Sequence, residues 1–472
     1  RGRPMLDDLR RNVRMIGVLL LGLLVVLFVY VSYIQVVQSD FLAGHPLNRR
    51  SIEAAAKIER GQIQDKHGQP LAYSEADAAG KYQRYYPYGA ISAHVVGYSS
   101  SQYGTTGLES AFNGELSGAG NPQHRFGPIS NLWTAKAGNN IVLTIDAALQ
   151  ETAYWALGNR RGAIVVLNPR TGAVLAMVSK PGFNPATIDD DWRTVTSAPD
   201  GPLLNRAVQG LYPPGSTLKV MIADAALAEK IADTKRIFVC EGSLKIGPDY
   251  ELTESNHQAH GKLNLEEALA VSCNITFGRL SLELGRSRME KTFERYGFSR
   301  PLVGELQEVP SRLPDFSRLG DGDLAQTGIG QSSLLVTPLR MAMLAAAFAN
   351  KGTIMRPYLV SRITALDGST LKEIAPAEFI NATSPALADT VKRMMVAVVN
   401  DGTGYAAHLS GVQVAGKTGT AENPHGASHS WFIGFAPADN PEVALAVIVE
   451  NAGAGGEVAA PIARQIFAQA LR

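Results

Sequence analysis

Cysteine is scarce in this chain: two residues of 472, Cys240 and Cys273. That excludes a disulfide-knit scaffold and a multi-cysteine zinc site. Net charge is small as well, +1 from 44 basic and 43 acidic side chains. A general nucleic-acid binder needs a basic face for phosphate contacts, so no nucleic-acid partner is expected. Only 18% of residues are charged while 45% are hydrophobic, which excludes a mainly disordered chain. Beyond residue 36 no second long apolar run occurs. What remains is a folded protein with length for two or three domains.

The one long apolar run covers residues 15–34 and carries no charge. At about 1.5 Å per residue a helix there spans about 30 Å, the thickness of a bilayer core. Tyr30 and Tyr33 lie near its outer end, where amphipathic rings favour the interface. Arg10, Arg11 and Arg14 precede it, and no Lys or Arg follows until Arg49. This asymmetry predicts a single-pass anchor in the cytoplasmic membrane, N-terminus inside and the remainder outside. A cleaved signal peptide is the alternative, with Val37 and Ser39 mimicking a cleavage site, but the run is long for a signal's apolar core. Residues 1–4 precede Met5 and are set aside as non-native.

Residues 36–136 are polar and rich in Tyr and Gly, with short strand-like pieces such as Gly61-Gln62-Ile63-Gln64 and turn signals at Asp65-Lys66-His67-Gly68 and Pro87-Tyr88-Gly89. They read as an extended, non-catalytic pedestal. The composition changes at Gly138-Asn139-Asn140, so residues 137–472 are expected to form a second domain. Residues 163–167 and 173–178, joined by Asn168-Pro169-Arg170-Thr171-Gly172, read as an antiparallel hairpin. Residues 217–228 and 337–350 have helical spacing, the latter ending at Lys351-Gly352. Three strand candidates follow at 414–420, 431–435 and 443–449, then a last helix at 461–471. Strands at both ends with helices between them predict an α+β layer fold, an antiparallel sheet with halves distant in sequence.

Three short motifs carry chemistry. Ser216-Thr217-Leu218-Lys219 follows the stiff turn Tyr212-Pro213-Pro214-Gly215 and opens an apolar helix. A serine at a helix start feels the positive end of the macrodipole, and a lysine one turn on can reach its hydroxyl. Serine is a weak nucleophile until a base activates it, and a neutral Lys219 can be that base. Bringing a lysine from about 10.4 to neutrality at pH 7 takes about 4–5 kcal/mol, which burial and a second cation can supply. Ser272-Cys273-Asn274 interrupts an otherwise helical stretch over 263–284. Its serine can relay a proton and its asparagine amide can hold a substrate carbonyl. Lys417-Thr418-Gly419-Thr420 ends a strand along which a peptide can add by β-augmentation. Lys417 is then the second cation that lowers Lys219, the hydroxyls of Thr418 and Thr420 can bind a carboxylate, and Gly419 leaves room for close backbone approach. Each motif alone is more often a cap or a turn; the three in this order are rare.

Together they resemble the penicillin-recognising serine acyltransferases, marked by S-x-x-K, S-x-N and K-T-G. The wider similarity is to class B penicillin-binding proteins of the A-type, the membrane-anchored peptidoglycan D,D-transpeptidases. Further pieces carry it: Arg60-Gly61-Gln62-Ile63, Gly68-Gln69-Pro70-Leu71-Ala72, Gly107-Leu108-Glu109, Leu143-Thr144-Ile145-Asp146, Gly328-Ile329-Gly330-Gln331 with Thr337-Pro338, and Trp431-Phe432-Ile433-Gly434-Phe435. No glycosyltransferase domain of the size found in class A members precedes the motifs.

The resemblance implies attack of Ser216 on the penultimate carbonyl of a D-Ala-D-Ala stem peptide, release of D-Ala and transfer of the acyl group to a neighbouring amine. Lys219 is the implied base, Ser272 and Lys417 manage the leaving group's proton, and Asn274, Thr418, Gly419 and Thr420 hold substrate. The backbone N–H groups of Ser216 and Thr420 are the implied oxyanion hole. β-Lactams are implied inhibitors that stay on Ser216, and a SEDS-type glycosyltransferase an implied partner through the pedestal and membrane helix. No metal or organic cofactor is implied. The same motifs serve D,D-carboxypeptidases and β-lactamases, so hydrolysis is the alternative chemistry, and a chain that mainly activates a SEDS glycosyltransferase is the other alternative. His425 and His429 lie in a Pro- and Gly-containing loop and His257 and His260 in a polar turn, and none is expected to bind metal. Cys240 and Cys273 are expected as free thiols, and Asp146 as a helix cap.

Overall fold

A computed structural model describes residues 3–38, 58–118 and 137–472, except 425. The N-terminal helix runs Arg3–Val36, and its Leu9–Val36 portion has a mean hydropathy of 2.8 with none of it buried. It is long and apolar enough to cross a membrane, as the uncharged run requires.

The principal sheet has five antiparallel strands in the order Ala415–Ala421, His429–Ala436, Val443–Val449, Gly162–Leu167, Val174–Lys180. All seven residues of Val443–Val449 are buried, because helices cover both faces of the sheet. Ala444, Ala446 and Ile448 enter one core with helix Pro338–Ala349; Leu445 and Val447 enter the other with Ile466 and Phe467 of helix Ala459–Ala470. Period-two alternation thus sends each strand's side chains into two separate cores. Thr337 caps helix Pro338–Ala349 by accepting the Arg340 N–H at 3.1 Å. Asp146 caps its helix similarly, accepting from Leu149 at 3.0 Å. The expected hairpin, the three late strands and the last helix all form.

The pedestal is less of a stalk than its composition suggests. Its strand Ile63–Gln64 pairs in parallel with Asn140–Leu143, which in turn pairs with Val360–Thr364, inside one six-stranded sheet. This sheet joins chain from both sides of residue 137. Ile63, Leu71, Val96, Leu108 and Leu116 are buried in the same core as the helices of the larger region. Apolar periodicity was weak here because the strands run only two to seven residues. Glu109 is fully buried between Arg60 Nε at 2.5 Å and Arg84 Nε at 2.7 Å. Burial alone would raise its carboxyl, but the two guanidiniums hold it below its usual range.

Candidate active site

Ser216 lies on the single 3-10 turn Gly215–Leu218, one turn ahead of helix Lys219–Ala228. The apolar helix was expected to begin at the serine itself; Gly215, at φ +56°, bends the chain first. Three contacts pin this turn: Thr217 Oγ1 donates to Pro214 O at 2.6 Å, Trp431 Nε1 to Pro213 O at 3.0 Å, and Gly215 N to Gly330 O at 2.9 Å. Tyr212, just upstream, donates its hydroxyl to Glu450 at 2.7 Å.

Lys219 is fully buried and its Nζ is well tethered. It donates to Ser272 O at 2.6 Å and Asn274 Oδ1 at 2.7 Å, with Ser272 Oγ at 3.4 Å. None of these three bonds goes to Ser216. Lys417, also fully buried, donates to Ser272 Oγ at 2.9 Å and Thr418 O at 3.0 Å. Ser272 therefore stands between the two ammonium groups. Its own backbone is left-handed, φ +62°, at the break between helices Leu265–Ala270 and Asn274–Arg295. That interruption was legible in the sequence.

Two buried lysines sharing one hydroxyl cannot both hold protons comfortably. Burial lowers Lys219 to about 8, although the negative charge of Glu254 pulls the other way. Lys417 is pushed well below its usual range, by burial first and by the charge of Lys219 second. The two ammonium charges repel each other, so each disfavours the other's proton. Both buried amines are thus pushed toward their neutral forms.

The remaining motif residues lie close by. Asn274 uses both ends of its amide, Oδ1 for Lys219 and Nδ2 for Thr253 O at 3.1 Å, which leaves one N–H for another acceptor. Thr418 Oγ1 pairs with Thr403 Oγ1 at 2.6 Å. Thr420 is exposed and accepts Gly455 N–H at 3.3 Å. Gly419 does permit a close approach, but of the nucleophile's own turn. A Cβ there would sit 2.9 Å from Thr217 Cγ2 and 3.1 Å from Pro214 O. The strand Ala415–Ala421 is the edge of its sheet, so its outer side is unpaired by any strand.

Sequence reasoning missed Glu254. Its buried carboxylate accepts Ile275 N–H at 2.9 Å and the Cys273 thiol at 3.0 Å, bracing the turn that holds Ser272. It also missed what surrounds it: Cys240 and His260 stand with Glu254 and Cys273, not in separate loops. Both cysteines are free and buried. His429 lies against Tyr212, ring centroids 5.6 Å apart, and accepts Asn451 N–H; its neighbour in sequence, His425, is outside the described residues.

The penicillin-binding protein transpeptidase domain matches residues 162–468, and the penicillin-binding protein A dimerisation domain matches 60–140. The peptidoglycan D,D-transpeptidase PbpA of Mycolicibacterium smegmatis is 35% identical over 98% of this chain and 99% of its own length. Penicillin-binding protein A of M. tuberculosis, solved as a ceftriaxone acyl-enzyme, superposes with a TM-score of 0.82 at 32% identity, over 89% of this chain and 99% of that one. A D,D-transpeptidase domain from Eggerthella lenta gives 0.81 at 35% identity, over 88% of this chain and 99% of that one. With the three motifs gathered around Ser272 and the family's domains matched along the chain, this protein belongs to the penicillin-binding protein transpeptidases.

Proposed function

We propose that this chain is a peptidoglycan D,D-transpeptidase in which Ser216 forms an acyl-enzyme with D-Ala-D-Ala stem peptides, expels D-Ala and passes the acyl group to an acceptor amine. The observation that carries this reading is the hydroxyl of Ser272 held between Lys219 and Lys417, 3.4 and 2.9 Å away. A proton moves from Lys219 through Ser272 to Lys417, whose neutral form burial and the neighbouring charge of Lys219 favour. Lys219, now neutral, takes the Ser216 proton as the alkoxide attacks. Lys417 returns a proton through Ser272 to the departing amine nitrogen, so the pair ends with its starting charge. The backbone N–H groups of Ser216 and Thr420 receive the developing oxyanion, a contribution on the order of 10²–10³ in rate per donor in other acyl transferases. Asn274 holds the substrate's amide, Thr418 and Thr420 its carboxylate, and the peptide adds along the outer edge of Ala415–Ala421.

Intact-protein mass spectrometry after incubation with benzylpenicillin tests this. A stable adduct on the unmodified chain and none on Ser216→Ala is expected. Labelling of the alanine variant would refute the nucleophile, and rapid loss of the adduct with release of opened penicillin would make the enzyme a hydrolase.

The Arg-flanked helix anchors the chain in the cytoplasmic membrane with its N-terminus inside, and residues 137–472 act as the extracytoplasmic catalytic domain on the 36–136 pedestal. Pedestal and anchor together are the docking side for a SEDS-type glycosyltransferase. Glycan polymerisation by the purified pair should exceed that of the glycosyltransferase alone; equal rates would refute the partnership.

A further inference from the structure

Behind the Ser272 turn, four donor groups from separate segments converge. Cys240 ends strand Phe238–Cys240, Glu254 follows strand Tyr250–Thr253, His260 precedes strand Gly261–Leu263, and Cys273 is the middle residue of the turn itself. One ligand atom of each lies within 4.8 Å of every other. The two thiols and Glu254 are buried, and the His260 side chain is 14% exposed. Cys240 Sγ is 3.5 Å from both His260 Nδ1 and Glu254 Oε1; His260 Nδ1 is 3.8 Å from Glu254 Oε1, and Cys273 Sγ 3.0 Å.

These separations match a known polyhedron. Bonds of about 2.0–2.3 Å to a tetrahedral zinc set neighbouring ligand atoms about 3.3–3.8 Å apart. Three of the four distances fall in that range, and the short one is the S–H···O bond whose proton a metal would displace. Cys273 Sγ also accepts Thr276 N–H at 3.3 Å and the Thr276 hydroxyl at 3.2 Å, at the N-terminus of helix Asn274–Arg295. Donors aimed at a sulfur at a helix start are what a metal-bound thiolate requires.

We propose that Cys240, Glu254, His260 and Cys273 bind one zinc-class divalent cation, and that this ion fixes the Ser272-Cys273-Asn274 turn from behind. Two cysteines suffice because a carboxylate and an imidazole complete the set, which departs from the metal-free expectation. Binding releases the two thiol protons to solvent. With four protein ligands the site is closed, so the ion positions residues and does not touch substrate. The neighbours of Cys273 are Ser272, whose carbonyl and hydroxyl hold the two lysines, and Asn274, whose Oδ1 holds Lys219. The positioning half of the proposal rests on the acyl-transfer reading; the metal-binding half does not.

The test uses the full chain in detergent, kept reduced with a phosphine, stripped by chelator, desalted and given Zn²⁺ or Co²⁺ alone. One zinc should be retained per chain, and the Co²⁺ form should show thiolate-to-metal charge transfer with the visible bands of tetrahedral cobalt. Cys240→Ser combined with His260→Ala should abolish both; should that variant misfold, the cobalt spectrum of the unmodified chain decides. Zinc-loaded chain should take up a fluorescent penicillin about tenfold faster or more than stripped chain, the scale of losing a supporting ligand contact. No retained zinc, a cobalt spectrum without the thiolate band, or two cysteines recovered as a disulfide in a chain that takes no zinc after reduction would overturn the site. Zinc bound with equal labelling of loaded and stripped chain would overturn the positioning role alone. Zinc bound with no labelling of either form would count against the acyl-transfer reading and leave the metal site standing.

Discussion

Lys219 and Lys417 are both shifted by burial, but they differ in company. Lys219 has Glu254 to offset its burial; Lys417 has burial and the charge of Lys219 against it. Lys219 must be neutral to act as base, so penicillin acylation should rise with pH through a limb near pH 8, the value about which it titrates. A pH–rate profile from 6 to 10 checks this, and a flat profile would contradict it. Below that limb the enzyme depends on moving the proton through Ser272. Ser272→Ala should therefore lose on the order of 10²-fold at pH 7 and progressively less above the limb. A uniform deficit at all pH values would refute the relay. Stability carries the same sign: between about 8 and the unfolded value of about 10.4 the unfolded chain holds more protons at Lys219, so this group adds stability as pH rises through that window. The motif residues were legible in the sequence because each is covalently local. The carboxylate that offsets the burial of Lys219 was not, since Glu254 lies in no motif and reaches the site only through folding.

At the scale of elements, the nucleophile's turn is gripped by a glycine from another segment. Gly330 has φ +78°, and a Cβ there would lie 2.1 Å from Gly215 O and 2.6 Å from Gly215 N. Gly330→Ala should fold, yet displace Ser216 and lower the acylation rate about 100-fold, the usual scale of a 1 Å misplacement. Stopped-flow acylation set beside thermal unfolding separates the two effects; full activity would mean the turn tolerates the shift. Ser272 poses the converse case, a side chain at a glycine-like backbone angle. Ser272→Gly should be about 1–2 kcal/mol more stable than Ser272→Ala in urea unfolding, since only glycine occupies that region without cost. Helices and strands of the larger region were readable because their patterns run long enough to show a period. The 3-10 start at Ser216 was not, because one turn has no period to read.

For the whole molecule, the six-stranded sheet bridges the boundary that composition draws at residue 137. Strands of two to seven residues give little alternation, and the pairing of Ile63 with Ile141 joins segments no local rule connects. The buried carboxylate of Glu109 is the charged centre of this region. Glu109→Ala would leave Arg60 and Arg84 facing each other without a counter-ion, and should cost about 3–5 kcal/mol in urea unfolding. A loss below 1 kcal/mol would show that water reaches the pair. The principal sheet has a different consequence, one for biosynthesis. Gly162–Leu167 is completed by Val443–Val449, so it waits for a partner synthesised much later in the chain. Such distant pairing closes slowly and leaves apolar edges open in the meantime. On the proposed topology the catalytic region follows the anchor to the far side, so a sheet that closes this late is completed outside, where extracytoplasmic chaperones and proteases, not the translating ribosome, judge how much enzyme survives.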